Sequence, residues 1–261
     1  MKRAVVLTAL MVLGLSLAGS VHAVPIVNLE FTGWDSDKAQ TRTIMGNSVI
    51  TGMYNFMVDT EGHGTYVKFG GFCVDPWGTI IPGQSWEANW YWPPDIANIG
   101  DPNGPYGHLY RSDYGRPGGS LDDARILQNY RMIGWIYNTY RPSVSTQDDY
   151  ADFHEALMLT AWYTGDWDSS SPFEIPSGWT NDTGVRDIIR AGIVDKAYEI
   201  GSPPFTYTPV SDHGKQEIIN PNVTPNPSTA PVPEPGTLLL LGSGLVGFSG
   251  LRFLRRKEKA T

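Results

Sequence analysis

Apolar and polar positions alternate along the first part of the chain. From Val49 to Val58 the alternation sets Tyr54, Phe56 and Val58 on one face. It resumes from Thr65 to Asp75 after Thr60-Glu61-Gly62-His63-Gly64, whose residue types suit a hairpin turn. The stretch from Val24 to about Trp92 is therefore predicted to be strands, with Cys73 on the second arm of that hairpin. Pro93 to Gly119, dense in Gly, Pro and Asp, is predicted to be a surface excursion.

The period then becomes helical. Ser120 can cap a first helix with Asp122 and Asp123 in its first turn, and its apolar stripe is Ile126, Tyr130, Ile133, Tyr137 and Tyr140, stopping before Pro142. Ser145 or Thr146 can cap a second helix, which turns Tyr150, Phe153, Leu157 and Ala161 inward and ends at Gly165. A third runs from about Gly184 to Ile200, with Ile188, Ile189 and Ile193 inside, and stops at Gly201 before Pro203 and Pro204. Phe205 to Val210 and Gln216 to Ile219 read as closing strands around His213-Gly214. The expected fold is α+β, with antiparallel strands, in a sheet or a barrel, at both ends of the body and about three helices between them.

Two segments fall outside this pattern. Met1-Lys2-Arg3, an apolar run from Ala4 to Ala18 and the small-residue site Val21-His22-Ala23 have the order of a secretory signal peptide cleaved after Ala23. At the far end Thr237 to Leu251 is apolar and uncharged, and Arg252, Arg255, Arg256, Lys257 and Lys259 follow it. As a helix it covers only about 23 Å, short of a hydrocarbon core of roughly 30 Å unless Phe253 and Leu254 join and Arg252 snorkels. The basic cluster would stay cytoplasmic. Between body and tail, Asn220 to Pro235 is rich in Pro, Asn, Ser and Thr, a composition that makes an extended, accessible stalk. The expected organisation is a signal peptide at 1–23, an extracytoplasmic domain at 24–219, a Pro-rich stalk at 220–235, and a transmembrane helix with a basic tail at 236–261.

Val232-Pro233-Glu234-Pro235, the apolar stretch and the basic run from Arg252 through Arg255 and Arg256 to Lys257 resemble, in that order, the PEP-CTERM sorting tail of Gram-negative bacteria. The resemblance implies recognition by an exosortase, a membrane cysteine protease-transpeptidase that cuts near the Pro-Glu-Pro motif. It also implies export through the Sec translocon and signal peptidase, a transient inner-membrane anchor, and a destination at the cell surface or in an exopolysaccharide matrix or biofilm. Gly242, Gly244 and Gly247 spell G-x-G-x-x-G within this apolar tail, but neither the strand nor the βαβ unit of a dinucleotide site surrounds them.

Charge narrows the classes of partner. Residues 1–23 and 236–261 hold seven of the 19 Lys and Arg and one of the 27 acids, leaving the body about 14 net negative charges. Such a body does not seek nucleic acid or anionic lipid by charge. Its single cysteine, Cys73, cannot form an internal disulfide, so it is either a buried core residue, a reactive thiol, or paired with another molecule.

Gly71-Phe72-Cys73-Val74-Asp75, with a later helix ending Met158-Leu159-Thr160-Ala161-Trp162, resembles bacterial thioester domains of surface adhesins. That resemblance implies a Cys nucleophile at Cys73 and a packing aromatic at Trp162. The Gln whose carboxamide the thiolate attacks is replaced by Met158, which has no acyl carbon, and Gln147 lies three turns away near the helix start.

Other chemistry is thinly supported. His154-Glu155 begins an HExxH zinc motif, but its second His is again Met158. No G-x-S-x-G elbow occurs in the body, and Asp148/Asp149 and Asp166/Asp168 suit caps and turns better than a glycosidase pair. Asp101-Pro102-Asn103-Gly104 lacks EF-hand spacing. Trp86, Trp90, Tyr91 and Trp92 are the candidate ligand contacts, offering flat faces to a polysaccharide. The expectation is a non-enzymatic surface or matrix component without cofactor, metal or catalytic residues; a carbohydrate-binding or carbohydrate-active protein is the alternative, and a covalent thioester adhesin the third reading.

Overall fold

The computed structural model describes residues 26–59, 64–74, 80–91, 122–168, 173–180, 182–209 and 218–219. The predicted signal peptide, the excursion from Pro93 to Gly119, the stalk and the sorting tail lie outside these residues.

Within them, β1 (Ile26–Ile44), β2 (Asn47–Asp59), β3 (Tyr66–Cys73), β4 (Gln84–Tyr91), β5 (Thr206–Pro209) and β6 (Ile218–Ile219) close an antiparallel barrel in the order β1-β2-β3-β6-β5-β4. The predicted hairpin is β2–β3, with Phe56 opposite Phe69 and Val58 opposite Val67. Tyr54, Phe56 and Val58 point inward, as the alternation requires. The late strands β5 and β6 pair with each other and bridge β4 to β3, so the barrel is complete only when the C-terminal end of the body joins the N-terminal strands.

β1 and β2 are longer than the barrel needs. Ile26 to Phe31 pairs with β4 and Asn28 to Phe31 also with β2, whereas Ala39 to Ile44 pairs with Asn47 to Gly52 as a hairpin extension. Between the two parts the register shifts from Trp34 opposite Tyr54 to Ala39 opposite Gly52, leaving Asp35 to Lys38 as a bulge that an Asp35–Lys38 ion pair of 2.7 Å holds. Gly52 has φ +121°, and a Cβ there would strike the Lys38 carbonyl, so glycine is required opposite the bulge.

Four helices lie among the described residues: α1 (Asp123–Tyr140), α2 (Gln147–Trp162), α3 (Thr183–Val194) and α4 (Ala197–Ile200). Three expectations need correction. The cap of α1 is Asp122, whose extended backbone lets its carboxylate accept from Arg125 N at 2.8 Å, rather than Ser120. α2 stops at Trp162, because Tyr163 turns extended two residues before Gly165. The single helix expected to Ile200 is two: Lys196 takes φ 52°, and the break lets Ala197 and Tyr198 enter the core while Ile193 stays half-buried.

The sheet's two faces divide the core. Cys73 and its partner Ile218 point into the barrel, while the adjacent pair Phe72 and Ile219 points out and is covered by the helices. Phe72 meets Phe153 of α2 at 5.0 Å and Tyr137 of α1 at 6.0 Å between ring centroids. α2 is thus enclosed by the barrel on one side and by α1 and α3 on the other. Far more than the predicted stripe is buried, including every residue from Phe153 to Trp162.

Candidate functional site

Among the described residues, the wholly buried polar side chains include His154 and Glu155 of α2 and Thr51 of β2, where α2 crosses the strands. α2 starts at Thr146, one of the two predicted caps, in a capping box: Thr146 Oγ1 accepts from Asp149 N at 3.1 Å, and Asp149 accepts from Thr146 N at 2.9 Å. These bonds hold the Asp149 carboxyl below its ordinary range. Gln147 donates to the carbonyls of Ala39 and Ser36, and Gln40 donates to Asp148 at 3.0 Å, so the first turn of α2 is sewn to the bulge of β1.

One turn further on, Arg42 of the hairpin extension reaches Asp152 at 2.5 Å and Glu155 at 3.0 Å, with Asp182 at 3.8 Å. Glu155 is wholly buried; its second oxygen accepts from Thr180 N at 2.8 Å. Burial raises the carboxyls of Glu155 and Asp152 above their ordinary values, against the pull of Arg42. Burial also works against the Arg42 charge, but Glu155 and Asp152 outweigh it and strengthen the guanidinium's hold on its proton.

His154, also wholly buried, bridges two strands. Gly52 N donates to Nδ1 at 2.8 Å, and Nε2 lies 2.6 Å from the Cys73 carbonyl. A carbonyl can only accept, so the ring is neutral with its proton on Nε2. Burial, with no anion beside it, lowers the imidazole to about 4. Two turns on, Trp162 Nε1 donates to Val74 O at 2.8 Å, fastening the end of α2 to the end of β3.

This junction accounts for several residues singled out in the sequence. His154 and Glu155, the truncated zinc motif, are committed at both nitrogens and both oxygens to backbone and to Arg42. Among the described residues no group of three or more His, Cys, Asp or Glu side chains is arranged to hold a metal ion. Asp148 and Asp149 hold the start of α2, and Asp166 accepts from Asp168 N in a turn at 3.2 Å, which are structural tasks rather than those of a glycosidase pair.

Cys73 is 1% exposed inside the barrel. Met158, expected at the Gln position of the thioester resemblance, packs with Ile44 and Val49 under the hairpin extension, in a different cluster from Cys73. Gln147 is spent on β1 carbonyls. The aromatic cluster is also redistributed. Period two along β4 turns Trp86, Ala88 and Trp90 toward the barrel interior, where Trp90 is 2% exposed and stacks on Phe205 at 5.7 Å. Trp90 therefore has no face to offer a sugar ring, and Trp86 is half-buried against the same core. The Tyr91 side chain and Trp92 lie outside the described residues.

Arg42 and Gly52 carried no role in the sequence reading. Gly52, isolated within an alternating strand, is the signal that could have exposed the bulge and with it the approach of His154.

Residues 231–257 match the family model of the PEP-CTERM protein-sorting motif. The match takes in Val232, Pro233, Glu234, Pro235, Arg252, Arg255 and Arg256 and does not extend into the body, so the thioester-type resemblance gains nothing from it. No curated protein and no solved structure matches the chain. No helix among the described residues is long and apolar enough to cross a membrane; the predicted tail helix lies outside them.

Proposed function

We propose, on the premise that this chain carries a PEP-CTERM sorting motif at 231–257, that it is an exosortase substrate whose body is delivered as a non-enzymatic component of the cell surface or extracellular matrix. The sorting match carries this reading. A membrane cysteine protease-transpeptidase would act on the Pro233-Glu234-Pro235 region, Arg252, Arg255 and Arg256 would hold the tail at the cytoplasmic face, and the Pro-rich composition of Asn220 to Pro235 suits a segment that presents the cut site. The strongly acidic composition of the body suits a soluble cargo.

A non-enzymatic role is supported by the commitments of its buried polar groups: His154, Glu155 and Arg42 each serve the junction between α2 and the strands. Export places the cargo near exopolysaccharide, the partner this reading favours.

Cell fractionation with mass spectrometry of the C-terminus tests the proposal. The exported form should end near Pro235, and Glu234→Ala should retain the tail and hold the protein in the membrane fraction. An intact Thr261 terminus in every fraction would sink it.

A further inference from the structure

We propose that His154 is an acid-sensitive lock between α2 and the barrel: proton uptake by its ring breaks the bridge from Gly52 to Cys73 and opens the junction locally. The argument is one of donors and acceptors. Gly52 N–H points at Nδ1 and the Cys73 carbonyl takes the Nε2 proton, so the neutral ring satisfies both backbone groups. A second proton can go only to Nδ1, where it meets the Gly52 N–H. Two donors then face each other, the amide loses its acceptor, and a buried cation stands without an anion.

The surroundings give that cation no hydrogen-bonded anion among the described residues. From β2 the Tyr54 ring packs T-shaped against it at 5.4 Å, and its hydroxyl is already given to the Ile50 carbonyl at 2.5 Å. From β3 come the Phe72 ring at 5.5 Å and Cys73, and α1 contributes Tyr137 behind Phe72. On α2 itself Glu155 is next in sequence but is turned to Arg42 of β1 and Thr180. No carboxylate hydrogen-bonds the ring among the described residues.

Gly52 stands at the base of the hairpin extension, beside the register shift at the Asp35–Lys38 bulge, so the lost bond is one of those that hold this base to α2. An exported body meets the pH of its surroundings, where a histidine lock of this kind responds.

The test is denaturant unfolding of the full chain in detergent from pH 7.5 to pH 4.5, with His154→Gln beside it. Gln supplies an acceptor oxygen and an amide nitrogen that donates, and does not titrate. The folding constant of the unmodified chain should fall, relative to the variant, by up to about tenfold for each pH unit below the ordinary histidine value. Parallel profiles would overturn the proposal. Should the variant fail to fold, NMR of the unmodified chain decides: a neutral ring with its proton on Nε2 in the folded protein at pH 5.5 supports the lock, and a charged ring there overturns it.

Discussion

Inside the barrel, Phe31, Phe56, Phe69 and Tyr207 form a run of rings spaced 5.4 Å apart, whereas along α2 the contacts are Arg42 with Glu155, His154 with two backbone groups, and Gln147 with two carbonyls. The first region is held by burial of apolar area, which is strong and tolerant of small shifts. The second adds, to apolar packing such as that of Phe153 on Phe72, directional bonds from polar groups, which contribute less net free energy but cost a great deal when a buried member is left unpaired. The barrel therefore provides cohesion, and the junction fixes where α2 lies on it. Phe72 joins the two regions: its neighbour Cys73 faces into the barrel, while its own ring packs on α2.

The largest effect should come from the barrel. Trp90→Ala removes a fully buried ring, and the unfolding free energy measured in urea should fall by about 3–5 kcal/mol. Unchanged stability would mean that the ring is outside the core and would return it to the surface as a ligand contact.

Next comes the charge cluster. Arg42→Ala strands the wholly buried Glu155 and should cost about 3 kcal/mol, with a large part restored in the Arg42→Ala, Glu155→Gln double variant. Additive losses in that pair would show that the ion pair is not what joins the extension to α2.

The third effect is of pH. His154 sits at about 4 when folded, against an unfolded value of 6.5, so its contribution is complete above pH 6.5. It is lost as the pH falls from there toward pH 4, amounting to roughly 3 kcal/mol over that range. The raised carboxyls of Glu155 and Asp152 act with the opposite sign, since a folded state that binds protons more readily gains stability as pH falls. The difference between the unmodified chain and His154→Gln therefore isolates the imidazole.

The smallest effect belongs to the start of α2, where Thr146→Ala removes one side of a capping box that is exposed to solvent. Thermal unfolding should register a loss of about 1 kcal/mol.

Much of the fold is legible locally. The inward set Tyr54, Phe56 and Val58, the hairpin that follows, the Thr146 cap and the stop at Tyr140 each depend on residues close in sequence, where period and capping chemistry act. The break at Lys196 was hidden because Ile193 continues the helical stripe of Ile188 and Ile189; only packing of Ala197 and Tyr198 into the core requires the turn. The inward direction of Trp90 follows from period two once the barrel's interior is known, and strand composition alone does not say which face is inside.

The sorting tail is the part that the sequence determines by itself. The motif is matched as a linear order of Val232-Pro233-Glu234-Pro235, an apolar run and Arg252 to Lys257, and order needs no partner from elsewhere in the chain. The roles of His154, Glu155 and Arg42 were decided only by tertiary structure. Each depends on groups far away in sequence, Gly52 and Cys73 for the imidazole and Asp152 and Glu155 for the guanidinium, and a buried polar side chain takes its meaning from whichever donor or acceptor the fold brings to it.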